Sequence, residues 1–327
     1  MTTRLLIYGA TGYTGKLIAA RAKEAGLDFA IAGRDAGKVA ALAQELGVPF
    51  HIFGVDAAAG LRAGLNGFTA VLNCAGPFAR TAQPIMEACI DAGVHYLDIT
   101  AEYKVYALAE SLAPRAAAAE VMLLPGVGWD VVPSDCLALY VSGKVDQPQR
   151  LRMALQVAGA VSRGSATSVA EIRGVGLLVR SEGVIVPIQD AQPAPFDFGE
   201  GPVDAYPLSF GDLVTAWKST GIPNIDMFVH MKGTAPSTDV ATMPDGPSIE
   251  ERASHGASVV AEVTGIDGAV FRARIDTVNG YSYTPLAAIE AARRVLDGAQ
   301  RPGFETPATL FGVAFAESIA GTSVTDL

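Results

Sequence analysis

The sequence predicts an α/β protein: a doubly wound parallel sheet, followed by an inserted α+β region. Short apolar segments alternate with helical patterns through the first part of the chain, a cluster of glycines follows the first apolar segment, and the alternation stops near Val145. Strands that alternate with helices of this length form βαβ units, whose parallel sheet is covered on both faces. The 327 residues, half of them hydrophobic, are enough for two domains with separate cores.

The first domain is predicted at residues 1–145. Its expected strands are short and apolar: Arg4–Gly9, Asp28–Gly33, Phe50–Val55, Ala70–Cys74, Val94–Ile99 and Val121–Leu124. Its expected helices place apolar residues at helical spacing: Thr14–Gly26, Asp35–Leu46, Thr81–Ala92 and Val105–Ala119. Right-handed crossovers would bring the carboxyl ends of these strands, and the loops that follow them, to one edge of the sheet.

The insert is predicted at residues 146–280, with a mostly antiparallel sheet. Its expected strands are Arg150–Val157, Asn224–Met231, Ala257–Thr264 and Ala269–Val278, of which the last two form a hairpin. Helices are expected at Ser165–Val179 and Asp212–Thr220, and loops at Gln189–Pro207 and Gly233–Ala253. Residues 281–327 contain two further helical patterns, Thr284–Leu296 and Pro307–Ile319, which we expect to pack back on the first domain.

Composition excludes several classes of function. The formal net charge of −10 disfavours binding to nucleic acid, whose phosphates an acidic surface repels. The sequence contains no apolar run long enough for a transmembrane helix, so we expect no membrane association. The three cysteines form no CxxC pair, which is typical of a reducing compartment and predicts a cytoplasmic protein. The four histidines lack the spacing of a metal site, so no metal is expected.

A glycine-rich segment, Gly9-Ala10-Thr11-Gly12-Tyr13-Thr14-Gly15, lies where the first predicted strand turns into the first predicted helix. At this junction of a Rossmann domain, glycines permit a tight turn, close approach of a pyrophosphate and close packing of helix on strand. The amino end of the helix then offers free N–H groups to the phosphates. The segment therefore predicts a dinucleotide site; the alternative reading is an ordinary structural turn.

The end of the second predicted strand indicates which dinucleotide binds. NAD-specific sites place a carboxylate there to bind the ribose 2′-hydroxyl, whereas this chain has Arg34 followed by Asp35. A guanidinium can hold a 2′-phosphate with two hydrogen bonds, and Lys38 would add a second positive charge. Arg34 is also compatible with a solvated helix start that Asp35 caps. We therefore expect NADP(H) in preference to NAD(H).

The ends of the third and fourth predicted strands complete the expected cofactor site. Asp56 follows the third strand and is a candidate for the adenine amino group, or else a simple helix cap. The fourth strand ends in small residues and a proline that would let the backbone run beside the ribose and nicotinamide: Asn73, Cys74, Ala75, Gly76 and Pro77. Cys74 is interpreted as a small buried side chain rather than a nucleophile, because no base adjoins it in the sequence.

Five segments resemble the saccharopine dehydrogenase-like oxidoreductases, a group that includes trans-acting enoyl reductases: GATGYTG, AGRD, LNCAGPF, HYLDITAEY and GVGWDVVPSD. The segments at Ser282–Pro285 and Phe304–Ala308 resemble the family's closing motifs. The resemblance implies hydride transfer with NAD(P), a substrate-binding insert and a homodimer. It also implies that Asp130 occupies a position at which members acting on amino acids have an aspartate that contacts the substrate.

Hydride transfer needs a group that supplies or removes a proton. The expected candidates are Tyr96 and Asp98, at the end of the fifth predicted strand, and Asp130, after the sixth. Loop and cap roles are the alternative for the aspartates. Three functions stay open: an oxidoreductase acting on a small imine, carbonyl or activated alkene, a trans-acting enoyl reductase acting on carrier-bound acyl chains, and a dinucleotide-binding protein without turnover.

Overall fold

The computed structural model describes residues 4–233 and 243–327. The strands are β1 (Leu5–Tyr8), β2 (Phe29–Gly33), β3 (Phe50–Ile52), β4 (Ala70–Asn73), β5 (His95–Asp98), β6 (Met122–Leu124), β7 (Pro148–Ala158), β8 (Leu178–Ser181), β9 (Val184–Pro187), β10 (Ala194–Asp197), β11 (Pro202–Pro207), β12 (Asn224–Lys232), β13 (Ala257–Gly265), β14 (Val270–Thr277), β15 (Gly303–Phe304) and β16 (Ser323–Asp326). The helices are α1 (Tyr13–Glu24), α2 (Ala36–Leu46), α3 (Ala58–Leu65), α4 (Phe78–Ala92), α5 (Tyr103–Ala118), α6 (Val132–Ser142), α7 (Arg163–Gly174), α8 (Asp212–Thr220), α9 (Ile249–Ser254), α10 (Gly280–Leu296) and α11 (Pro307–Phe311), followed by a 3-10 turn at Val313–Ser318. These elements form two compact units.

The first unit contains a seven-stranded parallel sheet in the order β15-β6-β5-β4-β1-β2-β3. It is made of the residues up to Thr100 together with Lys104–Gly128 and Thr284–Glu305. Tyr8 at the end of β1 pairs with Asn73 at the end of β4, and the strand order reverses between these two strands. Ligands of doubly wound sheets bind beyond the carboxyl ends of the strands at such a reversal. The predicted fold class is therefore confirmed.

The local sequence explains these elements. All residues of β1 and β2 are buried, as expected for parallel strands covered on both faces. Helix α2 buries Val39, Leu42, Ala43 and Leu46, which recur at helical spacing on one face. Its first turn is capped by Asp35, whose carboxylate accepts a hydrogen bond from the Lys38 amide at 3.0 Å.

The second unit contains a nine-stranded sheet whose main path is β10-β11-β12-β7-β13-β14-β16, with β8 and β9 beside β12. It is made of Ala101–Tyr103, Trp129–Tyr283 and Thr306–Leu327. Strands β7 and β12 pair in parallel, and the other described pairs are antiparallel. Helix α6 packs against β7, β13 and β14, and α8 packs against β12. The mostly antiparallel sheet predicted for the insert is confirmed.

The units divide the chain differently from the predicted boundaries at 145 and 280. The division falls at Gly128 because α6 packs on the second sheet and therefore belongs with it. The expectation for the tail was only partly right. Residues 284–305 join the first unit, but Pro307–Ile319 joins the second, where β16 pairs with β14.

Three predicted elements of the second unit were wrong in part. The expected loop Gln189–Pro207 contains β10 and β11. The alternation of apolar and polar residues in these strands is short and interrupted by prolines, so it did not indicate strands. Ala194 and Phe196 nevertheless pack in a buried cluster with Phe228. The expected helix Ser165–Val179 ends at Gly174, and β8 begins soon after. The expected loop Gly233–Ala253 contains the start of α9, and its residues 234–242 lie outside the described residues.

Within the described ranges, none of the helices combines the length and the apolar character that crossing a bilayer requires.

Candidate functional site

The turn between β1 and α1 depends on Gly9 and Gly15 for its shape. Gly9 has a φ of +79°, and a Cβ atom there would lie 2.7 Å from the Ala75 nitrogen. A Cβ atom at Gly15 would overlap the Gly9 carbonyl oxygen and lie 2.9 Å from the Ala10 Cα atom. Both positions therefore need glycine for the packing of the protein itself.

Gly12 has no such internal requirement. Its φ of −72° is open to any residue, and a Cβ atom there would have as its nearest neighbour the Gly9 oxygen, 3.5 Å away. Gly12 is exposed and forms the N-cap of α1, which has no side-chain cap and no acidic residue in its first turn. The residues around it, Thr11, Tyr13 and Thr14, are half-buried. The bare helix terminus leaves room and N–H groups for an anion, so these residues fit a pyrophosphate.

Arg34 lies just beyond β2 and is exposed. Among residues 4–233 and 243–327, no carboxylate forms an ion pair with its guanidinium. Lys38, in contrast, lies 3.6 Å from the carboxylate of Asp35. Hydrogen bonding from the Lys38 amide, and then the charge of Lys38, lowers the pKa of Asp35. The two interpretations of this segment are therefore compatible: Asp35 caps α2, and Arg34 is available for a ligand.

Tyr8 lies at the end of β1, beside the candidate site, and was not singled out from the sequence. Its ring stacks on Phe53 with a centroid distance of 5.3 Å, and its hydroxyl donates to the Phe53 carbonyl oxygen at 3.4 Å. Burial raises the pKa of Tyr8, while Arg34 lowers it and Asp56 raises it. Arg34 and the exposed Asp56 are thus both close enough to Tyr8 to influence its ionisation. The available signal was a tyrosine directly before the first glycine, at the end of an otherwise aliphatic strand.

Asn73 shapes the loop after β4 rather than presenting its side chain at the surface. Its amide nitrogen donates to the Thr81 and Tyr96 hydroxyl oxygens, each at 3.2 Å, and its amide oxygen accepts from the Ala75 N–H at 3.0 Å. Since Ala75 also adjoins Gly9, loop 73–77 lies beside the glycine turn. The Cys74 thiol has its pKa raised by burial and by the charge of Asp98, which disfavours a nucleophilic role.

Tyr96 and Asp98 are fully buried and hydrogen-bonded to each other. The Tyr96 hydroxyl donates to Asp98 Oδ2 at 2.7 Å, and burial raises the pKa of Tyr96. Asp98 Oδ1 accepts from the Thr100 N–H at 3.0 Å and from the Gly126 N–H at 2.8 Å. These bonds join the segments that follow β5 and β6. The structure therefore brings these two predicted residues together. Neither side chain is exposed to solvent, since the exposed fraction of each is 0%.

Asp130, the third candidate, lies in the second unit beside Trp129. The Trp129 indole donates to Thr277 Oγ1 at 2.9 Å, which anchors this segment. Asp130 is partly accessible, and burial of its carboxyl group raises its pKa to about 6. No cationic side chain among the described residues opposes this shift. A carboxyl group with this pKa is present in both protonation states near neutral pH.

Two fully buried aspartates, Asp135 and Asp212, belong to the same unit as Asp130. Asp135 Oδ2 accepts from the Ala308 N–H at 2.8 Å. The pKa of Asp212 is raised to about 8, chiefly by burial and further by the charges of Asp135 and Asp130. Sequence reasoning missed Asp212 because an aspartate at the start of a helix looks like an ordinary first-turn residue.

Comparison with known proteins links this arrangement to one family. Residues 5–124 match the saccharopine dehydrogenase NADP binding domain. A human saccharopine dehydrogenase-like oxidoreductase is 27% identical over 162 residues, 43% of this chain and 38% of that protein. A Mycobacterium tuberculosis protein described as a candidate trans-acting enoyl reductase is 31% identical over 182 residues, 51% of this chain and 43% of that protein. The chain thus spans about two fifths of these relatives.

The fold of the described chain also resembles a solved structure. Apo saccharopine dehydrogenase (L-Glu forming) from Saccharomyces cerevisiae superposes with a TM-score of 0.66 at 12% sequence identity, over 99% of this chain and 100% of that one. At this identity the likeness concerns the fold alone. The glycine turn and the strands at the sheet reversal lie within residues 5–124, the part of the chain that matches the saccharopine dehydrogenase NADP binding domain.

Proposed function

We propose that the protein is an NADP-dependent oxidoreductase that transfers hydride between NADP(H) and a small substrate. The observation that carries the proposal is Gly12, a glycine that packing does not require, at the uncapped start of α1. A pyrophosphate needs that room, and the family match over residues 5–124 names a dinucleotide-binding domain.

NADP(H) is proposed in preference to NAD(H) because of the charges at the end of β2. Arg34 is exposed and has no carboxylate partner in the described chain, whereas the only carboxylate next to it in sequence, Asp35, is used as a helix cap. A guanidinium in this place attracts a 2′-phosphate. Asp56 and Tyr8 would lie on the adenosine side of the same site.

Asp130 is proposed as the group that gives or takes the proton. The bound coenzyme supplies the hydride chemistry, and a proton group with a pKa near working pH serves either direction of reaction. Asp98 is proposed to act instead by accepting hydrogen bonds from the Thr100 and Gly126 N–H groups, which holds the two segments in place, and Tyr96 by donating to Asp98.

An imine or carbonyl substrate suits Asp130 best. The carboxyl group has no cationic partner among the described residues, and its pKa of about 6 lets it carry a proton near neutral pH. Hydride addition to the carbon of an imine or a carbonyl leaves a nitrogen or an oxygen that takes up a proton, and a carboxyl group protonates these atoms more readily than the carbon of an activated alkene. We therefore place activated alkenes second.

The cofactor assignment is tested by titrating the protein with NADPH and NADH while following nicotinamide fluorescence. We expect Arg34→Ala to weaken NADPH binding by roughly 10- to 100-fold, the loss of one charge-assisted contact, and to leave NADH binding unchanged. Arg21→Ala removes an exposed arginine of the same unit that pairs with Glu24, and serves as the matched control. Failure of the unaltered protein to bind either coenzyme would refute the proposal.

A second candidate is favoured by the 31% identity to the Mycobacterium tuberculosis relative. A trans-acting enoyl reductase would reduce an alkene conjugated to a thioester on a carrier protein. The two candidates are separated by measuring NADPH oxidation with cyclic imines and with thioester-linked enones, since each predicts turnover of one set only.

The remaining proposals concern assembly and compartment. The family resemblance supports a homodimer, which light scattering on the purified protein measures directly. The cysteines, Cys74, Cys89 and Cys136, are free and buried or half-buried, which supports a reducing compartment such as the cytoplasm.

A further inference from the structure

Helix α7 is held in place differently from the other long helices. It has 12 residues, and Ile172 is its one fully buried residue. The side chains from Ser165 to Val169 are only half-buried. A helix of this length usually buries a continuous apolar stripe, so apolar packing does little to fix the amino-terminal half of α7.

Hydrogen bonds from Tyr281 fix this half of the helix instead. The Ser162 N–H donates to the Tyr281 hydroxyl oxygen at 2.7 Å, and the Tyr281 hydroxyl donates to Ser165 Oγ at 2.7 Å. Ser162 is the N-cap of α7, and its own hydroxyl oxygen accepts from the Ser165 N–H at 3.1 Å. One phenol group therefore holds both the N-cap residue and the first turn.

A second contact lies one turn further along the helix. The Ser168 hydroxyl donates to Glu102 Oε1 at 2.9 Å, and Glu102 is only 3% exposed. Ser165 and Ser168 are three residues apart and so share one face of α7. This face is polar, and its partners come from distant parts of the sequence.

Tyr281 is also a neighbour of the Asp130 segment. A Cβ atom on the adjacent Gly280 would lie 3.3 Å from the Trp129 ring, so the backbone before Tyr281 packs against the residue before Asp130. The Asn279 side chain accepts a hydrogen bond from the Tyr281 N–H at 3.0 Å, and Asn279 is 6% exposed. Burial is the main cause that raises the pKa of Tyr281, and the charge of Asp130 contributes.

We propose that Tyr281 is a positioning residue for the reaction at Asp130: its hydroxyl holds the first turn of α7 in place near the Asp130 carboxyl group and limits the access of water to it. This inference rests on the proposed function. The charge of Asp130 raises the pKa of Asp212 of α8, and the charge of Asp135 of α6 acts on Asp212 in the same direction; on α7, Arg163 is paired with Asp245 at 3.2 Å. None of these is removed by a change at Tyr281, so the tyrosine can be tested separately.

The first test is hydrogen exchange of the full-length protein. Tyr281→Phe removes both hydrogen bonds, and we expect the amides of the first turns of α7 to exchange at least about fivefold faster. Ser165→Ala removes the acceptor for Tyr281 together with a 3.1 Å bond from the Ser162 hydroxyl, but leaves the Ser162 N–H bonded to the phenol. It should also speed exchange in the first turns of α7, which keeps the test valid if Tyr281→Phe folds poorly. Tyr140→Phe is the matched control, because it loses a 2.7 Å bond to Asp326 elsewhere in the same unit.

The second test is the pH profile of turnover. In the unaltered protein the inflection should lie near the Asp130 pKa of about 6. In Tyr281→Phe, better hydration should move it toward the ordinary aspartate value of about 4, with kcat lowered more than KM is raised. Unchanged exchange in α7, or an unmoved inflection, would overturn the inference. If neither coenzyme binds the unaltered protein, the proposed function fails, and the exchange result still decides the role of Tyr281.

Discussion

Gly12 differs from Gly9 and Gly15 because a Cβ atom at Gly12 would not clash with any described atom of the protein. The sequence pattern treats Gly9, Gly12 and Gly15 alike, and the structure separates two structural glycines from one that leaves room for a ligand. Residue types and spacing were therefore enough to predict the turn between β1 and α1. They were not enough to assign each residue its role, which depends on what lies across the turn.

Gly12→Ala should therefore separate binding from folding. We expect at least roughly tenfold weaker NADPH binding, since an added methyl group in a tight contact costs about 1–3 kcal/mol, and less than about 1 kcal/mol loss in the free energy of unfolding. Fluorescence titration and chemical denaturation measure the two quantities. Gly60→Ala is the control, because a Cβ atom at this position of α3 would make only an ordinary contact, 3.9 Å from the Ala57 Cβ atom. Equal NADPH affinity in both variants would show that the phosphates bind elsewhere.

Asp130 gives a prediction with a defined sign. Reduction needs the protonated carboxyl group as donor, so its rate should fall as pH rises through about 6; oxidation needs the carboxylate, so its rate should rise over the same range. Asp130→Asn should lower kcat by roughly 10²- to 10⁴-fold and abolish the inflection. The exposed Asp190→Asn is the control. An inflection that survives in Asp130→Asn would assign the proton to another group.

At the scale of elements, periodicity predicted the strands and helices that repeat a simple pattern. The βαβ units of the first unit and the β13–β14 hairpin appear close to the predicted positions. In each of them, the order of apolar and polar residues within the element itself indicates which side chains are buried. Strands β8, β9, β10, β11, β15 and β16 were missed. Each is short, and β15 and β16 also pair with strands far away in the sequence, as Gly303 pairs with Met122.

Helix α8 gives a prediction about stability. The pKa of Asp212 is raised to about 8 in the folded chain, mainly by burial, and is about 4 when unfolded. Between these values the unfolded chain releases a proton that the folded chain retains. The free energy of unfolding should therefore decrease with rising pH from about 4 to about 8, by at most about 1.4 kcal/mol per pH unit from this group, and level off above that range.

Asp212→Asn should remove this contribution and flatten the dependence. Chemical denaturation at several pH values between 5 and 9 measures it, with Asp190→Asn as the control that keeps the slope. Slopes that are the same for both variants would mean that Asp212 is already ionised in the folded protein.

At the scale of the whole molecule, the sequence predicted two domains but not which parts of the chain form each. The predicted boundary at 145 followed a change in the pattern of apolar residues, whereas the compact units follow contacts. Helix α6 was not predicted from the sequence; most of its residues are buried, and its contacts with β7, β13 and β14 assign it to the second unit. Such assignments depend on three-dimensional partners that local patterns do not express.

The position of β15 in the sequence affects how the first unit folds during synthesis. It forms the last strand of the parallel sheet by pairing with β6, although it lies at Gly303–Phe304, close to the carboxyl terminus of this chain. During synthesis on the ribosome, the nucleotide-binding unit cannot be completed until nearly all of these residues have emerged. Until then β6 has an open edge, which other nascent chains can pair with. A fragment ending at residue 128 should for this reason aggregate when it is expressed alone.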